Sequence, residues 1–577
     1  MQKIGIGYED YREFIDSDMY FVDKTLLIRD VIEKGGKTTL FTRPRRFGKT
    51  LALSMLRTFF ELEYDRDGNI IEKKRYFEGK KIMEAGEDIL SKMGKYPVIK
   101  LSLKSAKQPD FRLAGLRLRD EIVSEFRRHG YLRDSKKLDA EEKQALNPFF
   151  SPLPDLQILD EAKAFAEIGR YATSLKVLSD CLAKHHETKV IILLDEYDVP
   201  LENAYFTGFY DEMTGFIRSL FESALKTNDA LELAVVTGCL RISRESIFTG
   251  LNNLEINLIH GESFGEYFGF TQQETEDMLI AYGLKDKIGQ VRDWYDGYLF
   301  GKAEVYNPWS VIKYVKDHRE SPEAFPRPYW SNTSSNSIIK ELVYKADEDM
   351  KKDLERLIEG GTIEKRIHED ITYGDIDQSE DNLWNFLYFT GYMKKVSERF
   401  EDDKIYLTMC IPNREVRSIY SDQISTWFEK IVKNTDRQEL YQAVISKDTD
   451  RIAGIFTALL EKSISTFDCI ESFYHGFALS MLLGMPAYEV RSNREEGLGR
   501  PEIILYPVRP KDPAYIFELK VRKKFNEMQD GIEEAFTQIR DRKYEEGVLE
   551  DGYIGAVSFA VCFCKKSCIL ELYSQKK

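Results

Sequence analysis

Residues 38–56 read TTLFTRPRRFGKTLALSML: an apolar run, a polar turn-forming stretch and an amphipathic run in immediate succession. This order constrains the chain more than any other segment, because it predicts a buried strand, a tight loop and a helix. The loop ends in Gly48, Lys49 and Thr50, as a phosphate-binding loop of the form GxxxxGK[ST] ends. Its first position departs from that form, with Arg43 in place of glycine. Gly48 lets a phosphate approach the backbone, and the N-terminus of the following helix favours an anion. Lys49 is placed to reach the β- and γ-phosphates of ATP, and the Thr50 hydroxyl to ligate Mg2+. Without its context the triplet is equally an exposed Lys and Thr at an ordinary helix start.

Three further apolar runs, YPVIKLSL (96–103), KVIILLDEYD (189–198) and LELAVVTG (231–238), predict buried strands. Helical patterns over 51–64, 113–130 and 165–186 separate them. Alternation of this kind predicts an α/β domain with a doubly wound parallel sheet. The run at 189–198 ends in two adjacent carboxylates, a Walker-B arrangement in which Asp195 holds Mg2+ and Glu196 polarises the attacking water. Thr237, at the end of the next strand, is placed to sense the γ-phosphate. Arg241 and Arg244 follow, and are placed to add positive charge within the chain or across an interface of a homo-oligomer. As surface arginines they need no such role.

A chain of 577 residues exceeds what one core supports, so several domains are expected. The net charge of −15 excludes a uniformly basic nucleic-acid binder but leaves room for a local basic groove. Seven cysteines in such a length are no disulfide framework. Cys562, Cys564 and Cys568 lie close together without a fourth ligand nearby, and the apolar stretch around the first two reads as a buried strand. The first residues carry no basic-plus-apolar signal region, and no apolar run is long enough to span a bilayer. A cytoplasmic protein without membrane partners is expected.

After about residue 260 the texture changes. TQQETEDMLIAYG (271–283) predicts a helix, and 297–315 predicts a turn, a short hairpin and a helix opening at Pro308 after Asn307. From 316 to 460 the pattern is mixed and mostly helical. Strand signals return near 470 in PAYEVRSN, RPEIILYP, AYIFELKV and GAVSFAVCF, with one long helix over 530–547. The expected division is a nucleotide domain over 1–260, a helical lid and middle region over 261–465, and a small α/β unit over 466–577.

The last unit holds Glu471 at a helix start, Glu502 in GRPEIILYP, Glu518 and Lys520 in FELKV, and Gln538 with Tyr544 in QIRDRKY. Two carboxylates on neighbouring strand ends suit Mg2+ or Mn2+, and the alternation in ELK puts Glu518 and Lys520 on one strand face. A metal there activates water, and a lysine supports the nucleophile or the developing charge. The same three residues also suit an edge strand with alternating charge. Arg522, Lys523 and Lys524 follow, as contacts to a DNA backbone or as a solvated strand end.

MYFVDKT (19–25), TRPRRFGKTLALSML (42–56), LLDEYDVP (193–200) and TGCLRISRESIFTGLNN (237–253) resemble the predicted AAA-ATPase-like family of bacteria and archaea. RPRRFGK is that family's usual loop. The resemblance implies that Arg43, Pro44, Arg45, Arg46 and Phe47 belong to the ATP site with Gly48, Lys49 and Thr50. Arg43, Arg45 and Arg46 are then expected to add charge beside the phosphates, and Pro44 to stiffen the turn. YNPWSV (306–311), YWSNTSSN (329–336) and LYFTGYM (387–393) resemble the family's middle region, expected to be a lid and packing domain. SNREEGLGRPEI, FELKV and AFTQIRDRKY resemble the PD-(D/E)XK nuclease-like domain, a restriction-endonuclease-like fold, that accompanies such ATPases. By position, Glu471, Glu502 and Glu518 would hold the metal and Lys520 would complete the site. Glu502 stands where that family has aspartate, and metal ligation tolerates only small errors in distance. Three readings follow: an ATP-dependent, DNA-directed nuclease; an ATPase switch of the signalling or defence type whose nuclease-like domain only binds; and a non-catalytic nucleotide sensor, which the Asp195–Glu196 pair disfavours.

Overall fold

A computed structural model describes residues 2–150, 161–226, 228–240, 247–248, 253–330, 339, 342, 347–368, 373, 375, 379–461, 471–492, 502–509, 511–550 and 552–573. Its residues group into two compact units, one of 1–338 with 362–419 and one of 339–361 with 420–577. The expected boundaries at 260 and 465 are not where the grouping divides.

The first unit is built on five parallel strands: β1 (Thr38–Thr42), β2 (Val98–Ser102), β3 (Val190–Asp195), β4 (Leu231–Gly238) and β5 (Leu254–Asn257). Their order is β2-β3-β4-β1-β5. Every residue of β1 and β3 is buried, which is why these strands read as unbroken apolar runs. β5 was not expected, because LEIN is short and half-exposed. Thr42 pairs with Gly238, and Leu194 with Val236, so the carboxyl ends of β1, β3 and β4 lie side by side at one edge. Ligands of open parallel sheets bind at such an edge. Helix Lys49–Phe60 leaves β1 there and buries Leu53, Met55, Leu56, Phe59 and Phe60. Each such side chain contributes on the order of 1.5–3 kcal/mol, so the start of this helix is firmly placed. The long pattern at 165–186 is broken by a short 3₁₀ turn, Arg170–Thr173, ahead of helix Ser174–His186.

Residues 261–419 are less helical than expected. Strands β6 (Phe270–Thr271), β7 (Tyr298–Phe300) and β8 (Ala303–Tyr306) form one small antiparallel sheet, and β9 (Ile363–Ile367), β10 (Lys394–Glu401) and β11 (Lys404–Cys410) form another. β10 is mostly exposed, so its sequence shows little alternation. The expected hairpin and helix opening are present: Asn307 caps helix Pro308–Glu320, its side chain accepting the Trp309 N–H.

The second unit has a mixed sheet in the order β12 (Tyr488–Ser492), β13 (Ile503–Pro507), β14 (Ala514–Val521), β15 (Ala556–Cys564) and β16 (Ser567–Leu572). Only β14 and β15 run parallel. Helix Thr449–Glu461 buries Ile452, Phe456 and Leu460 in one cluster with Phe563 and Leu570, which explains why residues before 465 group with this sheet. The long helix expected over 530–547 is two helices, Met528–Asp541 and Tyr544–Glu550. Cys562 and Cys564 are buried on β15. Among the described residues no helix is long and apolar enough to cross a membrane.

In the first unit one carboxyl group is wholly enclosed. Glu415 is 0% exposed and accepts hydrogen bonds from the Ser310 hydroxyl at 2.8 and 3.0 Å and from the Trp330 backbone N–H at 2.8 Å. No cation pairs with it among the described residues, and burial pushes its pKa up to about 8. The folded chain thus keeps a proton that the unfolded chain loses above the ordinary glutamate range. Stability therefore falls as pH rises from about 4.5 towards about 8, by roughly 1.4 kcal/mol per pH unit, and levels off above it. We predict that Glu415→Gln removes most of the loss seen in thermal unfolding of the wild type between pH 6 and 8; equal loss in both proteins would contradict the assignment.

Candidate functional site

The loop between β1 and helix Lys49–Phe60 runs along the carboxyl edge of the sheet. Gly48 caps the helix with φ +81°, in open space, where a side chain would be strained. The Lys49 ammonium folds back on the loop, donating to the carbonyls of Arg43 at 2.7 Å and Pro44 at 2.8 Å. Thr50 Oγ1 donates to Asp195 Oδ2 at 2.7 Å, which joins the loop helix to the end of β3. Thr237 Oγ1, on the intervening β4, donates to Asp195 Oδ1 at 2.5 Å. Both oxygens of Asp195 are thereby aimed. A threonine hydroxyl beside a carboxylate is the donor set that Mg2+ takes.

Glu196 follows at φ +52°, a conformation non-glycine residues rarely adopt and one concentrated at functional sites. Burial pushes its pKa up, with Asp195 adding to the effect and Lys49 opposing it. Glu196 lines a cavity of about 360 Å3 together with Arg45, Arg46, Phe47, Gly48, Lys49 and Thr50. That volume is in the range of small-molecule sites. Sequence reasoning missed the other walls. Residues 5–9 and 20–22, Lys24 and Lys104 line it, as do Phe270, Pro308, Trp309 and Ile312. The stretch MYFVDKT thus acquires a place: Lys24 is held by Glu274 at 2.5 Å and by the Glu266 carbonyl at 2.6 Å.

The loop arginines divide. Arg43 does not stand beside the cavity, contrary to expectation. Its side chain is wholly buried, donating to the carbonyls of Thr42 at 2.8 Å and Asn257 at 2.9 Å. The guanidinium lies 5.3 and 5.2 Å from the ring centres of Phe268 and Phe300. Burial lowers its pKa to about 9. Arg45 is paired with Glu202. Arg46 is exposed, at φ +68°, over the Trp309 ring at 4.4 Å.

The three stretches expected to belong to a lid and packing region pack against this loop. Trp309 of YNPWSV carries Arg46. Trp330 of YWSNTSSN donates from Nε1 to the Arg45 carbonyl at 3.2 Å. Gly391 of LYFTGYM sits against the Pro44 ring, and at φ +89° a Cβ there would come within 2.8 Å of that ring. Phe47 contacts Tyr298 and Phe300 at 4.9 and 5.1 Å between ring centres. Asp198, also missed, accepts from the backbone N–H groups of Cys239 and Leu240 and fixes the turn after β4. Arg241 and Arg244 lie outside the described residues.

In the second unit, β14 places Glu518 and Lys520 on one face. Lys520 Nζ donates to Glu518 Oε1 at 2.8 Å and to Gln538 Oε1 at 2.9 Å; Gln538 Nε2 donates to the Tyr544 hydroxyl at 3.2 Å. The Tyr544 pKa is pushed up to about 12, chiefly by burial, with the carboxylates of Glu518 and Glu502 adding to it. Glu518, Lys520, Gln538 and Tyr544 are thus joined by hydrogen bonds, and Glu502 lies near enough to add to the rise in the Tyr544 pKa. His475 was missed: its Nε2 lies 3.2 Å from the Glu502 carbonyl oxygen, one helical turn beyond Glu471. That spacing, four residues on the same helix, was the available signal. The side chain of Glu471 lies outside the described residues. Among the described residues, no three side chains of the metal-ligating types converge.

Comparison with known proteins finds matches for two regions of the chain. Residues 5–248 match the family model described as predicted AAA-ATPase, and residues 470–572 match that of the PD-(D/E)XK nuclease superfamily. A protein of Azotobacter chroococcum mcd 1, titled "Uncharacterized protein in vnfD 5'region", is 23% identical over 463 residues, covering 79% of this chain and 77% of its own. No solved structure gives a significant match. The chain therefore joins a predicted AAA-ATPase region, residues 5–248, to a PD-(D/E)XK nuclease-superfamily region, residues 470–572.

Proposed function

We propose that the first unit binds and hydrolyses ATP. The carrying observation is the Thr50–Asp195 hydrogen bond, which joins the phosphate loop to the acidic strand end beside a cavity that Glu196 also lines. In this reading Lys49 leaves the loop carbonyls for the β- and γ-phosphates, and the helix N-terminus beyond Gly48 faces the anion. Thr50 and Asp195 hold Mg2+, which neutralises charge on the phosphates. Glu196 orients and polarises the attacking water; its raised pKa suits a group that takes up a proton. Thr237 acts through Asp195, to which it is bonded, rather than as a direct reader of the γ-phosphate.

We propose further that the second unit acts on nucleic acid, DNA in the first instance. Two forms of this reading differ in chemistry. In the first, Glu502 and Glu518 hold Mg2+ or Mn2+, with Glu471 completing the set, and Lys520 supports the attacking water. In the second, the unit binds without cutting and the protein is an ATP-driven switch. Glu502 in place of aspartate, and the engagement of Lys520 by both Glu518 and Gln538, are the observations that favour the second form.

Two outcomes are expected. Lys49→Ala and Glu196→Gln lower ATP turnover by roughly 100-fold or more, Lys49→Ala by weakening phosphate contacts and Glu196→Gln with binding retained; turnover unchanged in either would contradict the role given to it. On supercoiled plasmid with Mg2+ or Mn2+, nicking that disappears in Lys520→Ala supports the cutting form, whereas binding without nicking, in protein that turns over ATP, supports the switch.

A further inference from the structure

Of the three loop arginines, two are committed. Arg43 is enclosed between Phe268 and Phe300, and Arg45 is paired with Glu202. Arg46 is exposed, and among the described residues it makes no ion pair or hydrogen bond. Its only partner there is the Trp309 indole, 4.4 Å from the guanidinium carbon, and both residues line the cavity above Gly48 and Lys49. Trp309 itself is anchored. Its backbone N–H donates to Asn307, its Nε1 donates to the Tyr329 carbonyl at 3.3 Å, and its neighbour Ser310 is bonded to the buried Glu415. Trp309 stands in residues 261–338, outside the span matched to the predicted AAA-ATPase model.

We propose that Arg46 and Trp309 form a latch through which residues beyond that span read the terminal phosphate of the bound nucleotide. This rests on the ATP reading above. Without a nucleotide phosphate, the guanidinium rests on the indole face rather than pairing with Glu9 or Glu196, which line the same cavity. A triphosphate offers it charge-assisted, bidentate hydrogen bonds, which outweigh stacking on a half-buried ring. Arg46 then turns towards the phosphate and leaves the Trp309 ring, with the Lys313 ammonium 5.5 Å from the ring centre as its remaining cation. A diphosphate, lacking the outermost group, leaves the stack in place. The unusual loop thereby divides its labour: Arg43 and Arg45 fix its shape, and Arg46 reports what it holds.

The test uses the full chain, with ATP and ADP binding measured by calorimetry and tryptophan emission followed in parallel. The chain has five tryptophans, so Trp309→Phe is needed to assign the signal. The latch predicts an emission change with ATP that is much smaller with ADP and is mostly lost in Trp309→Phe. It also predicts that Arg46→Ala weakens ATP roughly tenfold while changing ADP less than about threefold. An ATP signal of equal size in Trp309→Phe, or equal weakening of ATP and ADP in Arg46→Ala, overturns the latch and leaves the ATP reading standing. No binding of either nucleotide to the wild type overturns both.

Discussion

A buried guanidinium with no carboxylate partner among the described residues underlies the phosphate loop. Arg43 joins the ends of β1 and β5 through the Thr42 and Asn257 carbonyls and lies against two phenylalanine rings. Burying a charge is costly unless its hydrogen-bonding groups are engaged. Here only Nη1 is bonded, while Nε and Nη2 are buried without a hydrogen-bond partner among the described residues, and the rings of Phe268 and Phe300, from residues after 260, supply the remaining contact with the cation. The first turn of the loop is therefore not autonomous. A glycine at this position would leave those rings without their cation and the two strand ends without a bridge. The departure from the usual phosphate-loop pattern is the mark of a loop whose outer side is a packing surface.

The same reasoning extends along the loop. Pro44 meets Gly391, the Arg45 carbonyl meets Trp330, Arg46 meets Trp309, and Phe47 meets Tyr298 and Phe300. Residues 261–338 and 362–419 thus group with the loop in the first compact unit. Glu415 supports this arrangement from behind by holding Ser310 and the Trp330 backbone.

Much of the parallel sheet was legible, because strands covered on both faces leave unbroken apolar runs, as in VIILLD. The sequence assigned Thr50 and Asp195 separately to Mg2+, each from its place on its element, and the hydrogen bond between them was not foreseen. The role of Arg43 was not legible. Its burial depends on Phe268 and Phe300, more than two hundred residues away, and no local pattern marks an arginine for an interior. The second small sheet was hidden for the opposite reason: β10 is mostly exposed and its polar residues read as loop or helix surface. In the C-terminal unit, strand alternation placed Glu518 and Lys520 correctly together, while His475 escaped notice because helical spacing links it to Glu471 and strand order does not.

The central claim is that one ATP site is built jointly by the phosphate loop and the residues beyond 260 that enclose it. Hydrogen–deuterium exchange with and without ATP and Mg2+ tests it most directly. The account predicts increased protection over 5–9 and 43–50 and, with them, over 306–312 and 387–393. Protection confined to 43–50, with the two later stretches unchanged, would contradict it.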